Sequence, residues 1–238
     1  MAGRAGAALV AGIDGCRTGW VVATVPVGDE SPAVRVEVVA ELGDVVRRID
    51  AGDLVVAGVD IPLGLPERGP RACDVLARRL LGPRRSSVFP TPARPVLAAA
   101  SYEEACALSR AVSGQGISRQ LFNILPKIRE ADAVLAAAPG LRGRLFEMSP
   151  ELSFATLAGA PMRHNKRTAE GRGERIEALR RGLPGVDVAR ISTPRGARSD
   201  DVLDALAGAW TARRVTTGAQ ITLGGETDPA GVRMAVTA

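Results

Sequence analysis

The chain has 238 residues, 46% of them hydrophobic, enough for one large domain around a single core. Its formal charge of +5 favours an anionic partner such as nucleic acid, while three scattered cysteines without a CxxC pair and a single histidine exclude a disulfide framework and a Cys/His zinc site. No apolar run reaches the ~20 residues of a membrane span, and the apolar stretch 5–13 after Arg4 is cut by Gly12 and Asp14, so a cytoplasmic protein with no membrane partner is expected.

Residues 8–14, 20–27 and 33–40 are rich in Val and Ile, and the third segment alternates, with Val34, Val36 and Val38 on one face and Arg35 and Glu37 on the other. Three short strands separated by turns predict an antiparallel meander. Asp14 falls where the first strand gives way to a turn, with Gly15 and Gly19 supplying backbone freedom. After a helical piece at 44–49, residues 54–60 form a nearly continuous apolar run, the pattern of a strand buried on both faces. Pro62 holds Ile61 extended and leaves Asp60 at the strand's C-terminal end, where open α/β sheets place their sites. Helices are predicted at 71–81, 102–112 and 120–138, around the proline-punctuated 83–95 and the flexible 113–116. The span 66–140 reads as a helical insertion, because a strand pattern resumes at 144–148. Ser149 or Ser153 is expected to cap a short helix at 151–157. A charged helix at 166–181, a helix at 200–211 with the apolar stripe Val202, Leu203, Leu206 and Trp210, and a last strand at 232–236 complete one α/β domain over 1–238.

Four acidic positions share one address in this layout: Asp14 after the first strand, Asp60 after the fourth, Glu147 on the fifth, and Asp200, Asp201 and Asp204 opening the last helix. A carboxylate in so apolar a strand as that of Asp14 needs a cationic partner. Asp201 and Asp204 share a helix face, and a helix N-cap with first-turn acids explains that group equally well. Acids at the ends of adjacent strands and on a helix beside them are what a two-metal site requires, since hard oxygens hold Mg²⁺ or Mn²⁺.

Six motifs carry a resemblance: Gly-Ile-Asp-Gly-Cys-Arg-x-Gly-Trp (12–20), Val-Asp-Ile-Pro-Leu-Gly-Leu-Pro (59–66), Ser-Ser-Val-Phe-x-x-Pro (86–92), Pro-Lys-Ile-x-Glu-x-Asp (126–132), Glu-Met-Ser-Pro-Glu-Leu-Ser-Phe (147–154) and Asp-Val-Leu-Asp-Ala-Leu-Ala-x-Ala-Trp-Thr-Ala (201–212). Together they resemble an uncharacterised prokaryotic family, domain-of-unknown-function family number 429, described as predicted nucleases with a ribonuclease H-like fold. The resemblance implies a mixed five-stranded sheet, three strands antiparallel and two parallel, flanked by helices. For Asp14, Asp60, Asp201 and Asp204 it implies the acidic positions that ligate metal in related resolvase-type enzymes. The family usually shows His where this chain has Ser149. The expected function is a metal-dependent nuclease in which Asp14 would bridge two divalent ions, Asp60 and Asp201 or Asp204 would complete their shells, and Glu147 would hold one ion or orient water.

Residues 163–198 hold ten Lys/Arg against four acids and directly precede the acidic helix, an electrostatic funnel for DNA or RNA. A solvated helix laced with ion pairs accounts for the same pattern. Candidate phosphate contacts are Arg17, Lys127, Lys166, Arg172, Arg175 and Arg180. Two alternatives stay open. Asp14-Gly15 and Gly224-Gly225 also fit an actin-like or sugar-kinase-like ATP-binding protein, and the same fold could bind nucleic acid without cleaving it.

Overall fold

The computed structural model describes residues 7–28 and 33–238. Arg4 and Ala5, where the first apolar stretch begins, lie outside the described residues. The meander forms as expected: β1 (Leu9–Cys16), β2 (Gly19–Pro26) and β3 (Arg35–Val39) pair antiparallel in sequence order. After helix α1 (Leu42–Asp50), β4 (Leu54–Val59) lies parallel to β1 on its other side, and β5 (Leu145–Glu147) lies parallel to β4. The sheet order is therefore β3-β2-β1-β4-β5, a mixed five-stranded sheet with three antiparallel and two parallel strands.

Between β4 and β5 the chain makes α2 (Ala72–Leu81), α3 (Tyr102–Ser113) and α4 (Arg119–Ala137), with short 3₁₀ turns through the proline-rich segment. Then follow α5 (Pro150–Ala158), α6 (Ala169–Gly182) and α7 (Ser199–Thr217). One face of the sheet packs Ile13, Trp20 and Val22 against α1 and α4; the other packs Val10, Val21 and Ala23 against α7, with α5 and α6 beyond it. A sheet covered on both faces explains why every residue of β2 is buried.

Three differences from the sequence reading have physical causes. Asp14 sits inside β1, opposite Val21 of β2, because the pairing continues to Cys16 and the turn is shorter than expected. Neither serine caps α5 with its side chain: Ser149 occupies the cap position without such a bond, and the Ser153 hydroxyl is shared with the Ser149 carbonyl and Thr211. The last strand, β7 (Arg233–Thr237), has a partner that sequence pattern missed, β6 (Thr222–Thr227), and the two form a separate antiparallel pair.

The approach of α7 to the sheet sets the geometry of everything that follows. A Cβ built on Gly12 would lie 2.0 Å from the carbonyl oxygen of Ala205 and 2.1 Å from the amide nitrogen of Ala209; one on Gly208 would lie 3.0 Å from the Gly12 Cα. Backbone therefore meets backbone, which only glycine permits. Gly12 is two residues before Asp14 and Gly208 is about one helical turn after Asp204, so this contact brings the acids of strand and helix together.

Candidate active site

Asp14 and Asp60 are neighbours across two parallel strands. Ile13 pairs with Val59, and the Asp60 amide donates to the Ile13 carbonyl at 2.9 Å, so the two carboxylates leave the same end of the sheet. Asp14 is buried and accepts a 2.8 Å bond from the Gly15 amide. Asp204, also buried, comes from α7, and its carboxylate takes a 2.5 Å bond from the ammonium of Lys166, which lies 3.9 Å from Asp200 as well.

These charges shift one another. Burial, then the charges of Asp204 and Asp60, hold the Asp14 pKa well above the ordinary carboxylate range. Burial and Asp204 push Asp60 up to about 7. Asp204 is raised by burial despite Lys166, and Asp201 is raised chiefly by burial. Burial disfavours the Lys166 ammonium, yet the carboxylates of Asp204, Asp14 and Asp60 outweigh it and raise its pKa. The cluster is thus short of positive charge even with Lys166 in it.

Asp14 and Asp60 face a cleft of about 540 Å³, lined also by Arg17, Gln120, Asn123, Lys127, Ser149 and Lys166, while Asp204 lies buried beneath Lys166 and does not itself line it. Gln120, Asn123 and Lys127 lie three and four residues apart on α4, so the helical insertion presents one face to the acids. Arg17 is exposed at the rim. Asp201 lines the cleft too, and its carboxylate accepts from the Arg198 amide at 2.8 Å, so it also caps α7.

Several candidate residues have other partners. Glu147 lines the cleft, but both its oxygens are engaged: Arg71 grips them at 2.7 Å each, and the Leu63 amide donates at 2.7 Å. Arg71 donates to both oxygens of Asp74 as well, and Asp74 Oδ2 also accepts from the Thr91 amide. Glu147 is therefore the anchor of a buried ionic network. Lys127 donates to the Gly19 carbonyl at 2.6 Å and lies 4.1 Å above the Trp20 ring; burial lowers its pKa. Arg175 lies away from solvent altogether. It is fully buried, bonded to Glu151 and to the carbonyls of His164 and Gly171, and touches no surface that nucleic acid could reach. Arg180 is exposed on α6, pairs with Glu177 and lines neither the acid cleft nor its neighbour, whereas Arg172 lines a second cleft described below.

Sequence reasoning missed Arg71 and Asp74. Their spacing of three at the start of α2 was the available signal, but nothing local pointed to Glu147, 76 residues on. Glu130 also gains a role: it accepts from the Trp20 indole and the Leu42 amide, tying α4 to β2 and α1. Gly224 packs against Cys73 and lines no part of the acid cleft, which separates it from Asp14-Gly15.

The donor chemistry fits a hard divalent cation, since the converging groups are carboxylates that lack sufficient counter-charge. Among the described residues, however, no three His, Cys, Asp or Glu side chains converge closely enough to hold an ion as they stand, and Lys166 holds the position beside Asp204. Also among the described residues, no helix is long and apolar enough to cross a membrane.

A family model described as "Protein of unknown function (DUF429)" matches residues 12–228, and the chain belongs to that family. No curated protein and no solved structure matches the chain.

Proposed function

We propose that this DUF429 protein is a metal-dependent nuclease of the ribonuclease H-like type, hydrolysing phosphodiester bonds in DNA or RNA. The observation that carries the reading is the meeting of Asp14, Asp60 and Asp204, from β1, β4 and α7, at the C-terminal end of the parallel strands, each with a raised pKa. The strand order supports it too, being the mixed arrangement that the motif resemblance implies.

Asp14, Asp60 and Asp204 would hold Mg²⁺ or Mn²⁺, with Asp201 at the rim. A bound divalent ion supplies Lewis-acid activation of water and neutralises charge at the phosphorus. The chain's own residues do the rest. Asp14, fixed by the Gly15 amide and by its place inside β1, would be a rigidly presented ligand. Lys166 holds Asp204 and would compete with an ion for it; its ammonium also lies in the cleft lining, within which a phosphate oxygen would be its alternative partner. Arg71 and Leu63 keep Glu147 from turning into the cleft, so it shapes the site's wall rather than binding the ion.

Cleavage of single-stranded, duplex, branched and hybrid substrates with Mg²⁺ or Mn²⁺ tests this reading. Wild type is expected to cut at least one of them, and Asp14→Asn to lose 10²-fold or more of that activity. No cleavage by wild type, or full activity in the variant, would overturn it. The hold of Lys166 on Asp204 favours a second reading, a nucleic-acid-binding protein that does not cleave. Binding that chelator leaves unchanged, without cleavage in metal, would select it.

A further inference from the structure

Beside the acid cleft, a second cleft of about 480 Å³ opens between the N-termini of α6 and α7, lined by Lys166, Arg167, Thr168, Arg172, Arg198 and Ser199. Lys166, Arg167, Arg198 and Asp200 line both clefts, so the two form one groove. Their electrostatics are opposite. The Lys166 charge is committed to Asp204, but Arg167, Arg172 and Arg198 are exposed and, among the described residues, form no salt bridge, although the charge of Arg198 is felt by Asp201. Asp200 is the single acid in this lining.

With Arg167, Arg172, Arg198 and Lys166 against Asp200, this end of the groove carries excess positive charge. The N-termini of α6 and α7, helices of 14 and 19 residues, add their remaining first-turn N–H groups at the same place, the amides of Gly171 and Arg198 being taken by Thr168 and Asp201. Guanidinium forks and helix N-termini both select tetrahedral oxyanions, phosphate above all. An anion held here lies next to whatever the acids bind, within one continuous groove.

We propose that this second cleft binds the phosphate adjoining the one presented to the acids, so that the ligand is a nucleic-acid strand with at least two phosphates and not a mononucleotide or phosphorylated sugar. The inference rests on the phosphodiester reading of the acid cleft. It also redefines the basic stretch as a site built by Arg167, Arg172 and Arg198 at two helix ends, in place of a general field over 163–198.

The test is fluorescence anisotropy with a short labelled single-stranded oligonucleotide, DNA and RNA in turn, in chelator and across a salt series. Arg167→Glu and Arg172→Glu are expected to weaken binding about tenfold each and to reduce the slope of log affinity against log salt by about 0.7 per lost contact. Arg181→Glu, the same charge change on the last turn of α6, is expected to leave both unchanged. Equal weakening by Arg181→Glu, unchanged binding by the two cleft variants, or no oligonucleotide binding by wild type would overturn the proposal. ATP binding as tightly as the oligonucleotide, with the same sensitivity to both cleft variants, would reassign the cleft to a nucleotide polyphosphate and overturn the strand assignment. Because no metal is present, the outcome is separate from catalysis. Lost binding in the variants with no metal-dependent cleavage by wild type upholds the cleft and sinks the nuclease, while cleavage with unchanged variant binding does the reverse.

Discussion

Removing Lys166 isolates the electrostatic problem that the acid cluster poses. Its ammonium is one-third exposed, but Asp204 beneath it is almost wholly buried, so Lys166→Met leaves a carboxylate in low dielectric without its counter-ion. We expect a loss of about 1–3 kcal/mol in chelator, discounted from the range for fully buried pairs because of that exposure. Asp60→Asn is expected to act in the opposite direction, raising apo stability above neutral pH while abolishing cleavage, since it removes a charge that burial and Asp204 disfavour. Thermal denaturation of both variants in chelator checks the pair of signs; a stabilised Lys166→Met or a destabilised Asp60→Asn would refute this account of the cluster. The acids themselves were legible in the sequence, because strand ends and a helix start can be located by pattern. Their partners were not. Lys166 on Asp204, Arg71 on Glu147 and Glu130 on Trp20 join segments 38, 76 and 110 residues apart, and periodicity carries no information about such pairs.

At the level of elements, the position of Asp204 relative to Asp14 depends on how closely α7 can approach β1. Gly12→Ala places a methyl group about 2 Å from two backbone atoms that cannot rotate away, so helix and strand must separate. We expect a destabilisation of several kcal/mol, seen as a fall in melting temperature of about 2–4 °C per kcal/mol for a chain of this size. Gly173→Ala is the matched control: it lies in α6 with nothing within 4 Å of the added methyl and should stabilise by about 0.5–1 kcal/mol. Similar melting temperatures for the two variants would remove the argument for close packing. The same helix shows where pattern reading stops. Its apolar stripe ended the expected element at 211, yet α7 is buried on nearly every side from Val202 to Ala212 and continues through polar residues to Gly218, which closes it in the left-handed conformation. β6 escaped for a different reason: Gly224, Gly225 and Glu226 all weaken a strand pattern, and only pairing with β7 holds that segment extended.

For the whole molecule, two groups of acids pull stability in opposite directions with pH. Asp14, Asp60, Asp201 and Asp204 have raised folded-state pKa values, so their contribution is fully present below the unfolded value of ~3.9 and is lost as pH rises, for Asp60 through about 7. Asp228 behaves inversely. Burial pushes it up, but the amides of Leu65 and Val232 and the Arg94 guanidinium outweigh burial and lower its pKa, so its contribution is present above ~3.9 and lost as pH falls. Apo stability should therefore peak near pH 4 and fall from there toward about pH 7, and Mg²⁺ should reduce that fall by neutralising the first group. A melting curve in chelator that stays flat between about pH 4 and 7, with no response to Mg²⁺, would contradict this balance. Arg94 also bonds Asp132 of α4, so one guanidinium joins the insertion to the segment before β7, as Arg71 joins the insertion to β5. The chain's two tryptophans mark this framework from opposite faces. Trp20, wholly buried, lies across from Gly15 beside Asp14, under the Lys127 ammonium; Trp210 stands on α7, six residues beyond Asp204. Indole emission responds to nearby charge and to water; Trp210 sits on the helix that carries Asp204, and Trp20 on the strand paired with the one that carries Asp14. The protein thus has an optical probe of its own acid cluster, readable in dilute solution without a label.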